Sequence, residues 1–574
     1  MDVMENVVRL IREAAPVAVA ISEQTHMFTD LGLDSMTYMV LLRGIEEEYG
    51  FEFSIIEMEP CLVVGTLVET VKQRLRLKSG MIRNALLNRD NWGKTAIFDG
   101  DAAITYGEIA RKAMAVREAL NARTGAHVAV LLPNGADFIA ALHGIMIAGR
   151  TAFPLSATLT RREVESMLEQ GDAATVITCK SFTPLFDQMD SRPGLIYMDD
   201  VSPVGDVSPV DDGGESAPGA YPQNPEGVLP DSPLILLATS GTTGKAKIVM
   251  LSERNIASCV SDYLDITNLD ALGVDIRYIL SLPFSSSYGI FILSVIVRKG
   301  FAIAMTPEPF TLDAFYRAIE RYAITNYLGG AMAVTLMAEN IGRPIPYDVS
   351  SLRCCAFGGS GVPRETLVRL TRAFDGVEFW MGYGLTEAGP VITQAKKPMP
   401  EDKLGSAGVA GKHVTLMIES DGVKTQTPFA RGEVVVKGPN IMLGYYKNEA
   451  ETERMIHDGW LHTGDMGYLD DDGYLYLCGR IRNIILSRGF TVYPEEIEEC
   501  VMASGLAESC VVYGRPDSFG SEQVCADVVP KDPVTSVDDV MAWCASRLAD
   551  YKQPRHVRMT SAVLKTATGK IARA

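Results

Sequence analysis

The spacing of apolar positions changes character along the chain. Up to about residue 78, short amphipathic stretches alternate with polar turns and show little strand-like alternation. Tyr38, Leu41, Leu42, Ile45 and Tyr49 recur at helical spacing, Glu46 to Glu48 give that stretch an acidic end, and Thr66 to Leu77 predicts a closing helix. This pattern predicts a small helical bundle over 1–78. A basic, polar stretch around Lys78 to Asn91 predicts a linker over 79–94. Beyond it, apolar strand-like runs such as Val128 to Leu132 alternate with helical stretches, the pattern of a large α/β region. Val201 to Pro230 is rich in Pro, Gly, Asp and Ser and has no periodic apolar positions, which predicts an exposed loop or disordered insert.

With 574 residues and 47% hydrophobic content, the chain has material for several cores, and three or more domains are expected. The 72 acidic residues outnumber the 53 basic ones, for a formal charge of -19. That excess repels nucleic acid and anionic membrane surfaces as partners. Ten cysteines without CxxC pairs suggest neither a zinc cage nor a disulfide framework, and fit a reducing cytoplasm. The start of the chain does not read as a signal peptide. The longest apolar run, Gly289 to Val297, meets Arg298-Lys299 well short of the roughly 20 residues a membrane span needs. A soluble, cytoplasmic protein without a membrane span is therefore expected.

Two motifs carry most of the candidate chemistry. In Leu31-Gly32-Leu33-Asp34-Ser35-Met36, Ser35 stands at the predicted start of a helix, where an attached anion would meet the positive end of the helix. A plain helix cap is the other reading of such a serine. The second motif begins with the apolar run Leu236-Leu237-Ala238, which leads into Thr239-Ser240-Gly241-Thr242-Thr243-Gly244-Lys245-Ala246-Lys247. Its glycines admit phosphate oxygens to the backbone, its hydroxyls donate to them and its lysines offset their charge. The spacing is not that of a P-loop. Farther on, Gly382-Tyr383-Gly384-Leu385-Thr386-Glu387 offers an aromatic face, a hydroxyl and a hard carboxylate suited to Mg²⁺ held with phosphates. Asp465, in Thr463-Gly464-Asp465, can accept from ribose hydroxyls; Gly479-Arg480 and Thr568-Gly569-Lys570 complete the series.

In this order, from Ile104-Thr105-Tyr106-Gly107-Glu108 onward, these motifs resemble the adenylate-forming superfamily of acyl- and aryl-CoA synthetases, nonribosomal peptide synthetase adenylation domains and luciferases. The segment around Ser35 resembles acyl or peptidyl carrier proteins. The resemblance implies a four-helix carrier bundle (1–78), a linker (79–94), a large α/β adenylating part (95–478) and a small mobile α+β lid (479–574). It implies ATP, Mg²⁺ and 4'-phosphopantetheine as cofactors. Ser35 would be the phosphopantetheine attachment site, and Thr239, Ser240, Gly241, Thr242, Thr243, Gly244 and Lys247 would hold phosphates. Gly358, Gly359 and Ser360 would form the adenine pocket with Tyr383 packed on the base. Thr386 would contact phosphate, Glu387 would hold Mg²⁺, and Asp465 and Arg480 would bind ribose. Lys570 would bridge the carboxylate and the α-phosphate as the leading catalytic residue. Rotation about Arg482 would then bring the loop containing Gly489 to the site for thiol attack.

Ser286, Tyr288, Gly358, Pro390 and Val391 match acyl-pocket positions in aryl- and fatty-acid relatives. Leu282-Pro283-Phe284-Ser285-Ser286-Ser287-Tyr288 contains no carboxylate to pair with an α-ammonium, which disfavours α-amino acids. Ser286 replaces a frequent histidine, and Ala246 and Gly361 replace prolines. The expected function is adenylation of an aryl or fatty acid and transfer to a carrier phosphopantetheine, the one on Ser35 included. Use of free CoA is the nearest alternative, and a luciferase-like oxygenase a more distant one. The partners implied are a small carboxylic acid, a phosphopantetheinyl transferase, and a downstream synthase or other carrier proteins.

Overall fold

The computed structural model describes residues 3–15, 20–49, 60–68, 70–71, 81–187, 189, 191–204, 232–239, 247–269, 273–305, 310–359, 361–396, 398–481, 485–487, 490–492, 494–516, 522–548 and 550–563. In the first unit, helices Val3–Ala14 and Ser35–Tyr49 pack together. Tyr38, Leu41, Leu42 and Ile45 are buried with Val7, Ile11, Val64, Leu67 and Val71. These four periodic residues thus face one core, while the Tyr49 side chain lies outside the description. The full helix count of this unit extends outside the described residues.

Residues 81–94, expected as linker, are packed instead. Ile82, Arg83, Asn84, Ala85 and Leu86 are buried. The backbone N–H groups of Ile82 and Arg83 donate to the Glu253 carboxylate at 2.9 and 3.0 Å. The Arg83 guanidinium lies 3.7 Å from the same carboxylate, so a buried charge pair anchors the chain as it enters the large unit.

Two seven-stranded sheets form the large unit among the described residues. One runs Gly444–Tyr445, Lys247–Ser252, Pro233–Thr239, Thr151–Pro154, His127–Leu131, Thr175–Thr178, Gly194–Tyr197 in spatial order. The other runs Glu378–Met381, Cys354–Gly358, Asn326–Gly330, Arg277–Leu280, Ala302–Ala304, Thr95–Asp99, Ala102–Thr105; every neighbouring pair in it is parallel except the last. Helices Tyr106–Asn121, Ala136–Ile147, Glu253–Thr267 and Ser287–Lys299 share one core with both sheets, which joins Val130 and Ile235 of the first to Ile97 and Tyr278 of the second. Phe138 to Ile147 are buried throughout, as a helix between two apolar sheet faces must be. Thr105 and Glu108 form a capping box that starts the first of these helices.

A third sheet contains Thr415–Ser420, Gly432–Lys437, Trp460–Leu469 and Leu475–Arg480. Residues 485–563 add a sheet of Ala507–Pro516, Glu522–Pro530 and His556–Met559 with helices Pro494–Ala503 and Val537–Ala545, an α+β arrangement. Most of the Pro/Gly/Asp-rich insert lies outside the described residues. No described helix is long and apolar enough to cross a membrane.

Candidate functional site

The apolar run before the phosphate motif forms strand Pro233–Thr239, buried from Leu234 to Leu237. It pairs antiparallel with Lys247–Ser252, so that Thr239 faces Lys247 across the ladder and the Thr239 hydroxyl donates to the Lys247 carbonyl at 3.3 Å. Both ends of the loop are thereby fixed, while Ser240, Gly241, Thr242, Thr243 and Gly244 lie outside the described residues.

Lys247 Nζ lies 2.7 Å from Glu451 Oε1 and 5.1 Å from the centre of the Tyr445 ring. Tyr445 in turn donates its hydroxyl to Glu387 Oε1 at 2.7 Å. The loop lysine and the expected metal carboxylate therefore meet at one aromatic residue. Burial, reinforced by the Glu387 carboxylate, pushes the Tyr445 phenol up and keeps it a donor. The hydrogen bond from Lys247 holds the Glu451 carboxyl below its ordinary range. Neither Tyr445 nor Glu451 stood out in the sequence. Their partners lie 58 and 204 residues away, and no local pattern marks them.

The strand Cys354–Gly358 ends at Gly358-Gly359, and Gly359 has φ +83°, a backbone conformation that favours glycine. Ser360 lies outside the described residues. Tyr383 follows the neighbouring strand Glu378–Met381, exchanges backbone hydrogen bonds with Thr393 and donates its hydroxyl to Asp465 Oδ2 at 2.7 Å. Arg480 Nε binds the other oxygen of Asp465 at 2.9 Å. These two residues face each other across antiparallel strands, and Asp465 is 7% exposed. Tyr383, Asp465 and Arg480 form a set in which each group has a partner. Burial and the adjacent Asp465 charge push the Tyr383 phenol well up.

Thr386 opens a short turn and donates its hydroxyl to Ser287 Oγ at 3.0 Å. Ser286 caps the helix Ser287–Lys299: its hydroxyl accepts from the Gly289 N–H at 3.0 Å and donates to the Pro283 carbonyl at 2.8 Å. That hydroxyl is engaged on both sides by backbone groups. Tyr288 stacks on Phe291 at 6.0 Å. Pro390 and Val391 are buried, and the Pro390 carbonyl lies within 1.8 Å of where a Cβ on Gly384 would stand, so a side chain there would break the turn. Arg482, Gly489 and Lys570 lie outside the described residues.

At the first unit, Asp34 rather than Ser35 caps the helix, its carboxylate accepting from the Thr37 N–H at 2.7 Å. That bond lowers the Asp34 carboxyl below its usual range. Ser35 is exposed and its hydroxyl has no partner among the described residues. Met36, Met39 and Val40 leave an exposed apolar face beside it. At the far end of the same helix, the Arg254 guanidinium donates to the Glu48 carbonyl, so the large unit grips the negative end of the helix.

Comparison with known proteins identifies the family. Residues 85–446 match the AMP-binding enzyme family, 496–570 its C-terminal domain and 5–71 the phosphopantetheine attachment site family. Feruloyl-CoA synthase of an Amycolatopsis species is 30% identical over 484 residues, covering 83% of this chain and 94% of that protein. 2-Succinylbenzoate–CoA ligase of Bacillus cereus is 30% identical over 498 residues, covering 86% and 96%. The structure of o-succinylbenzoate coenzyme A synthetase from Bacillus subtilis with ATP and magnesium aligns with a TM-score of 0.72 at 27% identity, over 85% of this chain and 98% of that one. The chain belongs to the AMP-binding enzyme family, as an ATP-dependent, AMP-forming acid–thiol ligase that also carries a phosphopantetheine attachment domain.

Proposed function

We propose that this ligase activates an aryl or fatty carboxylic acid without an α-amine and passes the acyl group to a carrier-protein phosphopantetheine, including the one borne by its own Ser35. The observation that carries this reading is the exposed Ser35 hydroxyl, free of partners among the described residues, in the same chain as an adenylating fold. The grip of Arg254 on the Ser35 helix supports loading within one chain. The apolar face of Met36, Met39 and Val40 suits docking by a phosphopantetheinyl transferase and a downstream synthase.

In the first half-reaction the acid's carboxylate oxygen attacks the α-phosphorus of ATP and pyrophosphate leaves. Lys570 offsets the charge of the two approaching anions. The loop from Thr239 to Lys247 and Thr386 hold the phosphates, while Tyr383, Asp465 and Arg480 orient the nucleoside. A divalent cation fits Glu387. One oxygen of this carboxylate is engaged by Tyr445, and no cluster of three or more metal-binding side chains occurs among the described residues. Phosphate and water oxygens would then complete the shell, and the cation would offset triphosphate charge. In the second half-reaction the thiol sulfur attacks the acyl carbonyl, its proton is lost and AMP leaves. A lid turning about Arg482 opens the way by removing Lys570 and presenting Gly489.

Free CoA as acceptor is the second reading, supported by the names of the relatives above. Acid-dependent AMP release, measured with either phosphopantetheinylated carrier or CoA as the only thiol, tests the proposal. Faster thioester formation on the carrier is expected; thioester on CoA alone would favour the second reading, and oxygen consumption with light would point to luciferase-like chemistry.

A further inference from the structure

Gln394 is 1% exposed, and among the described residues neither its amide oxygen nor its amide nitrogen has a hydrogen-bond partner. Folded chains seldom leave both ends of a buried amide unpaired, because water has been removed and nothing replaces it. The surroundings indicate what the missing partner is. The amide lies against Gly382, where a Cβ would stand 3.1 Å from Nε2 and 3.2 Å from Oε1. The Gly382 carbonyl is itself 3.4 Å from the Cβ position of Gly358. These glycines follow adjacent parallel strands, and the Gly382 N–H donates to the Phe357 carbonyl at 3.0 Å. The amide thus borders bare backbone at the carboxyl edge of a parallel sheet, where open α/β sheets take their ligands.

Two further observations place the amide on the acyl side of the site. Gln394 continues, within three residues, the buried segment of Pro390 and Val391. On the helix Ser287–Lys299, which begins beside Thr386, the Tyr288 hydroxyl is a second buried polar group without a partner among the described residues. The nucleoside side shows no such deficit, since Tyr383, Asp465 and Arg480 satisfy one another.

We propose that Gln394 is a specificity residue of the acyl pocket, and that the acid it selects is a flat aromatic acid with a hydroxyl or carboxamide remote from the carboxylate. Such a group donates to Oε1 and accepts from Nε2 at once, whereas a bare ring or alkyl chain leaves both unpaired. The missing side chain at Gly382 makes room for the Gln394 amide, and at Gly358 only the Gly382 carbonyl would lie within 4 Å of a Cβ, which leaves that backbone approachable by a planar ring. This inference rests on the adenylating reading of the same site.

The test uses matched pairs of aromatic acids, with and without a ring hydroxyl, and reads kcat/KM for acid-dependent AMP release in the full-length protein. The hydroxylated member should be preferred by roughly 10²-fold or more. Gln394→Met, which keeps size and removes both hydrogen-bonding atoms, should shrink that ratio to below about tenfold, chiefly by loss on the hydroxylated acid. Gln394→Glu, a second variant of the same shape, should shift the ranking toward substituents that only donate. No preference in the wild-type protein, as buried water on the amide would give, overturns the proposal, and so does an equal loss on both members of each pair. Activity with both kinds of acid but no discrimination defeats this inference alone; no acid-dependent AMP with any acid defeats the adenylating reading itself.

Discussion

The residues proposed for the nucleoside and those proposed for the acyl group are built differently. On the first, Asp465 accepts from both Tyr383 and Arg480, and Glu387 is held by Tyr445. On the second, the Gln394 amide and the Tyr288 hydroxyl are buried without partners among the described residues. A nucleotide common to a whole family can be met by polar groups that already orient one another. On the proposed reading, a particular acid supplies the partners itself, so the acyl side is completed only by its substrate.

Substitutions should respect this division. Lys570, proposed to act where acid and nucleotide meet, should give the largest effect: Lys570→Ala should slow acyl-AMP formation by roughly 10³-fold while thioester formation from supplied acyl-AMP changes much less. Single-turnover assays of each half-reaction check this, and equal loss of both contradicts the role. Asp465→Ala orphans Tyr383 and Arg480 together and should lower kcat/KM for ATP by roughly 10²-fold, by the same factor with every acid. A factor that varied from acid to acid would break the separation of the two sides.

The pH behaviour sharpens the comparison by separating stability from chemistry. His143 is buried, and burial pushes its imidazole down to about 4. The unfolded chain, with an ordinary histidine, takes up a proton near pH 6.5 that the folded chain refuses until about pH 4. Stability from this group is therefore full above 6.5 and is lost as pH falls toward 4, by at most about 3 kcal/mol. Denaturation of wild-type and His143→Gln proteins at pH 7 and 5 should show a shallower acid loss in the variant. The smallest effect belongs to Ser286. Its hydroxyl caps a helix, so Ser286→Ala should cost about 1 kcal/mol in thermal or chemical unfolding and leave the ranking of acids unchanged.

What could be read in the sequence followed how local each feature is. The apolar run before the phosphate loop became a buried strand, and the helical spacing from Tyr38 to Ile45 became a core face, because each is set by neighbours a few residues apart. The sequence left Ser35 open between cap and modification site; only backbone geometry shows that Asp34 takes the capping bond. Residues 81–94 look polar enough for a linker, yet Arg83 is buried because Glu253, 170 residues on, supplies the countercharge and accepts from its backbone N–H. Tyr445 and Glu451 were illegible for the same reason, their partners Glu387 and Lys247 being far away in sequence, and no local pattern marks Gln394, whose amide lies against Gly382.

The central claim is that the acid activated on one domain ends on the thiol of another domain of the same chain. Intact-mass measurement of the phosphopantetheinylated protein with Mg-ATP and a panel of aryl, fatty and amino acids tests it most directly. The account predicts an acyl mass gain that maps to Ser35 and is absent in Ser35→Ala, although acid-dependent AMP release persists in that variant. AMP release without any gain at Ser35, with the acyl group recovered only on added CoA, would contradict it.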